Sequence, residues 1–234
     1  MRIRLIGLAV ATLLAAAAPA AATFAASAPT SWDDLVRVKS RALDSVYLLP
    51  GVDFRPYTKV MIDPAEVAFR KGWLRDYNAS TSSLAARLDE SDAERMAAEA
   101  RTGFDGIVRE AFAAAGYEIV DTPGADVLRV SPSVFNLAIN APDVPSAGRV
   151  SNWSVEAGEA SVLVEVRDST TGALLGRAVD RARLDDGRMT RRTEASNRAD
   201  FEQLFRRWSA TMVNGLAQLK ALSPISASGT PARP

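Results

Sequence analysis

Hydrophobic positions in this chain follow two helical stripes and several alternating runs. Between about Asp92 and Ala115, Met96, Ala100, Phe104, Ile107, Val108, Ala111, Phe112 and Ala115 recur three and four residues apart. That spacing puts them on one face of an amphipathic helix. Ser91 with Glu94 predicts a capping box at its start, and Gly116 a left-handed stop. The second stripe is Phe201, Leu204, Phe205, Trp208, Met212, Leu216 and Leu219. It predicts a helix from about Arg198 to Leu222, capped by Ser196 or Asn197 and stopped near Pro224.

Elsewhere the period is two. Short extended runs are expected around Leu35 to Val38 and Val46 to Leu49, then a strand from Tyr57 to Ile62. Asp63-Pro64 breaks that strand, and Ala65 to Phe69 resumes the extended path. Residues 70–90 are mixed and polar, with Trp73 and Tyr77 as aromatic anchors. A strand at 117–120 and a longer one from Val127 follow. In the latter, Leu128, Val130 and Val134 share a phase that Phe135, Leu137 and Ile139 do not, so a bulge or bend is expected at Pro132. Residues 141–158 read as a long loop, and "STTG" joins two strands as a hairpin with Gly172 in the turn. A polar connection, "DDGRMTRRTEASNR", leads to the last helix.

One-striped helices and one-faced strands must bury their apolar sides against each other. The expected fold is therefore α+β: a two-layer sandwich with a mostly antiparallel sheet of about four to six strands and two long helices on one face. One parallel pair is expected from the first strand–helix–strand connection. The domain should span 30–222, with a disordered tail over 223–234.

The first residues change the picture of where this domain works. Arg2 and Arg4 precede an uncharged run from Leu5 to Ala22, and Ala20-Ala21-Ala22 offers a small-residue exit. This is the pattern of a signal peptide over residues 1–22, cleaved somewhere in 22–28. It predicts a periplasmic protein, with secretion or N-terminal anchoring as the alternatives. No other apolar stretch is long enough to span a bilayer, so no stable membrane span is expected after signal removal. Removing Arg2 and Arg4 from 28 basic side chains leaves 26 against 28 acidic ones. That balance does not suit nucleic-acid binding, which draws its affinity from a basic excess.

The chain has no cysteine and no histidine. Disulfides, a thiol nucleophile, a Ser-His-Asp triad and histidine- or cysteine-ligated zinc are thereby excluded, and no cofactor or metal is expected. A pair of carboxylates survives as an enzymatic route, and Asp53, Asp63 and Glu66 cluster in one segment. Aspartate beside proline and glycine also closes turns through its own backbone, and that reading needs no chemistry. Lys39 and Ser40 are adjacent, which places their side chains on opposite faces of a strand rather than in a dyad.

Binding candidates are fewer. Trp153 on the 141–158 loop comes first, because tryptophan is enriched at hot spots and loops on rigid scaffolds carry function. Its alternative is to fold back over the sheet edge or core rim. Trp73, Tyr77 and Asp53 join it, with Arg191 and Arg192 from a basic run that could meet anionic lipid or an acidic partner. Asp185, Asp186 and Glu194 could equally balance that run in solvent.

Three motifs carry a family resemblance: Pro50-Gly51-x-Asp53-Phe54-x-x-Tyr57 followed by Asp63-Pro64, Asp168-Ser169-x-Thr171-Gly172, and the tryptophan of the last helix, Trp208. In order and spacing the chain resembles the bacterial family called domain of unknown function 3313, over roughly residues 40–220. The resemblance implies an exported, often lipoprotein-like envelope protein with no established activity, and it brings no catalytic residues. This chain departs from it in lacking a lipid-attachment cysteine. The expected function is a non-enzymatic module binding an envelope protein or cell-wall polymer. A carboxylate-dependent hydrolase of envelope glycans is the alternative. Small-ligand carriage would require an apolar pocket between helices and sheet.

Overall fold

The computed structural model describes residues 30–81, 84–139, 152–192 and 194–226. Nine strands form among them: β1 (Ser31–Trp32), β2 (Leu35–Val38), β3 (Ser45–Leu48), β4 (Lys59–Ile62), β5 (Glu66–Phe69), β6 (Glu118–Ile119), β7 (Val127–Ile139), β8 (Asn152–Asp168) and β9 (Leu174–Arg192). The helices are α1 (Trp73–Ser80), α2 (Glu90–Ala114) and α3 (Glu194–Leu222). The fold is α+β as expected, but the sheet is larger than four to six strands. Its order is β1-β2-β3-β9-β8-β7-β4-β6, with β5 also on β7.

Three parallel pairings occur where one was expected: β4 with β6, β4 with β7 and β5 with β7. Of the two extra pairings, that of β5 follows from Asp63-Pro64, which breaks the strand as expected before the extended path resumes. β4 pairs with the first part of β7 and β5 with the later part, so the proline marks a side-step along one edge. The Asp63 amide donates to the Val130 carbonyl (3.0 Å), and the Ala65 amide turns away to Asp105 Oδ1 (2.8 Å). Proline supplies no amide between them, so no donor is left unpaired there.

The bulge in β7 is displaced from its expected place. Pro132 sits in register opposite Val164, and the register breaks between Phe135 and Ala138. Asn136 takes φ 52 there, a left-handed conformation that asparagine tolerates better than branched neighbours do. Opposite the bulge, Gly158 is required by space. A Cβ on it would lie 2.1 Å from the Ala138 carbonyl oxygen and 2.9 Å from the Phe201 ring.

The helix starts also shift. The capping box of α2 uses Asp89 and Asp92, each carboxylate accepting the other's amide at 3.0 and 3.1 Å. Ser91 instead donates its hydroxyl to Asp89. Helix α3 begins at Glu194, which puts Ser196 and Asn197 inside its first turn rather than at the cap. The segment at 70–90 contains α1, and the polar connection at 185–192 is the far half of β9.

Both long helices lie on one face. Phe104 of α2 meets Phe205 and Trp208 of α3 (4.8 and 6.5 Å between ring centres), and all three share one core with Val60, Val130, Val134 and Val162 of the sheet. Alternate residues of each strand point to the opposite face, which carries much of the charge of the sheet beside apolar residues such as Leu163 and Val179. One transverse row on it reads Ser131, Glu165, Arg177, Tyr47 and Arg37 across five strands. Arg177 is only 8% exposed, held by Glu165 and by Asp33 (2.8 Å) with the Trp32 ring over its guanidinium at 4.0 Å. Burial by itself would raise the Glu165 carboxyl, but hydrogen bonds from Arg167 and Arg177 hold it below its ordinary value.

The β8–β9 hairpin is tied back to the N-terminal part of the chain. Asp168 Oδ1 accepts hydrogen bonds from Thr170 and Thr171, and Oδ2 accepts one from the Tyr57 hydroxyl at 2.9 Å. These bonds, first those from Thr170 and Thr171, hold the Asp168 carboxyl well below the usual carboxylate range. Burial, and then Asp168 itself, pushes the Tyr57 hydroxyl up to about 12. A carboxylate with a depressed folded-state pKa stabilises the fold above its unfolded value of about 3.9 and loses that contribution as pH falls below it. Asp168→Ala should cost about 1–3 kcal/mol in urea denaturation at neutral pH. Its stability curve should fall less steeply between pH 5 and 2 than that of the unmodified protein.

Candidate functional site

Eight strands abreast at about 4.8 Å span roughly 34 Å, while two helices at about 10 Å each cover little more than half of that. Helix α2 packs over β5 and β6 and α3 over β8 and β9, so β2 and β3 carry the sheet beyond the helix layer. A cavity of about 670 Å³ occupies the resulting space beneath the C-terminal half of α3. Its floor is Val46, Leu48, Val164, Val166, Gly176 and Ala178. Its roof is Trp208, Met212, Gly215, Leu216 and Leu219.

Small residues keep this space open from both sides. On the floor, Gly176 lies between Leu48 and Val166, and a Cβ there would approach them at 2.9 and 3.2 Å. On the roof, a Cβ at Gly215 would meet nothing within 4 Å. The walls are rigid by contrast. Trp208 is 1% exposed, donates its indole N–H to Asp180 Oδ2 at 2.8 Å and stacks on Phe205.

Phe54, Phe112 and Ile225 close the inner end. Here the Pro50-Gly51-x-Asp53-Phe54 stretch finds its role. The Gly51 amide donates to the Ile225 carbonyl (2.7 Å), and the Ile225 amide to the Val52 carbonyl (2.8 Å). The Phe54 amide donates to Ser223 Oγ (2.9 Å), which itself donates to the Leu219 carbonyl. Lys220 completes the clasp by donating to the Tyr57 carbonyl at 2.9 Å. Residues 223–225, expected to begin the disordered tail, are therefore built into the core, with Ile225 only 5% exposed. The mouth lies where the lining is exposed, along the side formed by the β2–β3 loop at 39–43 and Asn214, Gln218 and Leu222 of α3.

The residues singled out in the sequence do not form this site. Trp73 and Tyr77 are buried on α1, stacked with Phe69 and packed on Leu88, Met96 and Ala138. Trp73 donates its indole N–H to the Ile139 carbonyl at 3.1 Å. They are core, because α1 has a single apolar face and turns it inward. Asp53 is bound by Arg55 through two nitrogens at 2.9 and 2.6 Å, and those bonds hold its carboxyl low. The backbone of Trp153 lies in β8 opposite Arg191 of β9, and Arg192 is opposite Asn152, so these three are on a strand pair and not on a loop. Their side chains lie outside those described.

The carboxylate cluster also separates. Asp63 is taken by Arg129 (2.8 Å) and Ser131, and Glu66 stands exposed on β5. Ser40 accepts hydrogen bonds from the Ala42 and Leu43 amides, a turn role that leaves no partnership with Lys39. Among the described residues no group of three His, Cys, Asp or Glu side chains could hold a metal ion. The sequence signal that could have found the cavity is the placing of Gly176, Ala178 and Gly215 on faces otherwise made of large apolar residues.

An α+β protein with one broad sheet and an apolar cavity under its last helix is the class this architecture defines. The chain belongs to the family described as "Protein of unknown function (DUF3313)", whose model matches residues 24–212. No curated protein matches the sequence significantly. Among solved structures, the PelC dodecamer from Paraburkholderia phytofirmans is similar, at 12% identity and a TM-score of 0.37, over 73% of this chain and 95% of that one. A lipoprotein from Neisseria meningitidis is similar at 10% identity and TM-score 0.31, over 69% of this chain and 99% of its own. A neuraminyllactose-binding hemagglutinin homolog from Helicobacter pylori is similar at 11% and 0.31, over 74% and 89%. None of these likenesses assigns an activity.

The clasp at the inner end predicts that Ile225→Ala lowers stability by about 2–4 kcal/mol in urea denaturation. A chain ending at Leu222 should be at least as unstable. Ordinary stability in both would show that the tail adds nothing to the core.

Proposed function

We propose that this protein is a non-enzymatic module of the cell envelope that binds an apolar ligand in the cavity beneath α3. The observation that carries this reading is the cavity itself: about 670 Å³, walled by valine, leucine, phenylalanine and tryptophan, with exposed lining residues on one side. That volume falls within the range of roughly 300–1,000 Å³ found for small-molecule sites, which are mostly apolar with few polar groups. The absence of histidine and cysteine supports a binding role, as does the use of Asp53 and Asp63 in separate ion pairs. An envelope location is supported by the charged start and uncharged run of residues 1–22. Among the described residues no helix is long and apolar enough to cross a membrane.

An uncharged naphthylamine dye that brightens in apolar surroundings should bind the purified protein saturably at one site. Ala178→Phe and Gly215→Leu both place side chains in the cavity and should abolish that signal. Gly215→Leu should keep or raise thermal stability, because leucine is a better helix former than glycine by roughly 0.8 kcal/mol. Equal dye binding in both filled variants would sink the proposal.

A further inference from the structure

Taking the cavity as the binding site, as proposed above, we infer that its ligand is a single-chain amphiphile with an anionic head, a carboxylate or a phosphate. Three observations point there. First, among the described residues no aspartate or glutamate lines the cavity, whose ionisable residues are Lys39, Arg41 and Arg177. Second, Arg177 is already committed: its guanidinium is held by Glu165 and Asp33 on the far face of the sheet. Lys39 and Arg41 are thus the charges left for a ligand. They flank Ser40 on the exposed loop at the mouth, and among the described residues neither makes a salt bridge, the nearby Asp44 being taken by Arg181. Third, the inner part of the lining, at Phe54, Phe112 and Ile225, is buried and apolar and offers no partner to a charge.

A polar head carried to that inner part would lose its water with no partner to replace it, whereas at the mouth it stays wet and meets two cations. The ligand is therefore oriented: chain inward, head at Lys39 and Arg41. Two chemical sources satisfy this description, a free fatty acid and a single-chain phospholipid. The head groups at the mouth are exposed, so their contribution is screened by salt, and affinity comes chiefly from the buried methylenes. Each methylene is worth roughly fourfold in affinity at about 0.8 kcal/mol.

Displacement of the uncharged dye tests this with four competitors below their micelle concentrations. These are laurate, lauroyl-lysophosphatidylglycerol, dodecanol and dodecyltrimethylammonium. Either anion should displace the dye more effectively than dodecanol, with the cation weakest, and the stronger anion identifies the source. Lys39→Gln with Arg41→Gln should weaken the anion by roughly tenfold at low salt and leave dye binding and melting temperature unchanged. Lys39→Glu with Arg41→Glu should reverse the order of anion and cation. If the dye binds and fills the cavity but competitors ignore head charge, the amphiphile assignment is overturned while the apolar-ligand reading stands. If the dye does not bind, both fall.

Discussion

The constraint on which this structure turns is the mismatch between a wide sheet and a narrow helix layer. Apolar side chains on strands β3, β9 and β8 need cover, and α2 is engaged over β5 and β6. Only α3 remains, and it is carried across the sheet by large side chains at one end and by small ones at the other. At its N-terminal half, Phe201, Leu204, Phe205 and Trp208 reach the core directly. Further along, Gly215 on the helix stands above Gly176 and Ala178 in the sheet, and there the two layers cannot meet. Protein interiors normally close such gaps to near-crystalline density. Here both surfaces are held apart by rigid neighbours, so the gap persists.

Those neighbours are fixed by hydrogen bonds as much as by packing. Trp208 is pinned to Asp180 on β9, which sets the height of the helix above the sheet. At the other end Ser223 and Ile225 are bonded to the segment 51–54, and Lys220 to Tyr57. Tyr57 in turn holds Asp168 at the hairpin, so one short stretch of chain links the cavity end to the β8–β9 turn. The polar residues in this stretch serve as fasteners. Their aspartates accept hydrogen bonds from within the chain, which explains their density without requiring catalysis.

The two faces of the sheet have consequently different uses. On the open face, charge is neutralised in place: Arg177 by Glu165 and Asp33, Arg129 by Asp63, Arg167 by Glu165. Trp32 of the short edge strand covers Arg177 and meets Tyr47 edge-on at 5.7 Å, so even a buried guanidinium there is fully occupied. On the helix side, the cations at the cavity mouth have no such partners among the described residues.

Much of this was legible in the chain itself. The two helices follow from stripes of large apolar residues, the hairpin from Asp168 to Gly172, and the family from short motifs whose order is preserved; all of these are local, set by 3.6- or two-residue periods. Exclusion of thiol and histidine chemistry follows from composition alone. What local pattern could not decide was anything set by which strands become neighbours. Trp73 and Tyr77 look like binding candidates until α1 folds inward, and Pro132 looks like a bend until Val164 pairs with it. The width of the sheet depends on β4 and β5 sharing β7 as partner, and on β2 and β3 extending it past the helices. A cavity is a property of distances between residues more than a hundred positions apart, Val46 and Gly215 among them, and only the tertiary structure brings those small side chains face to face.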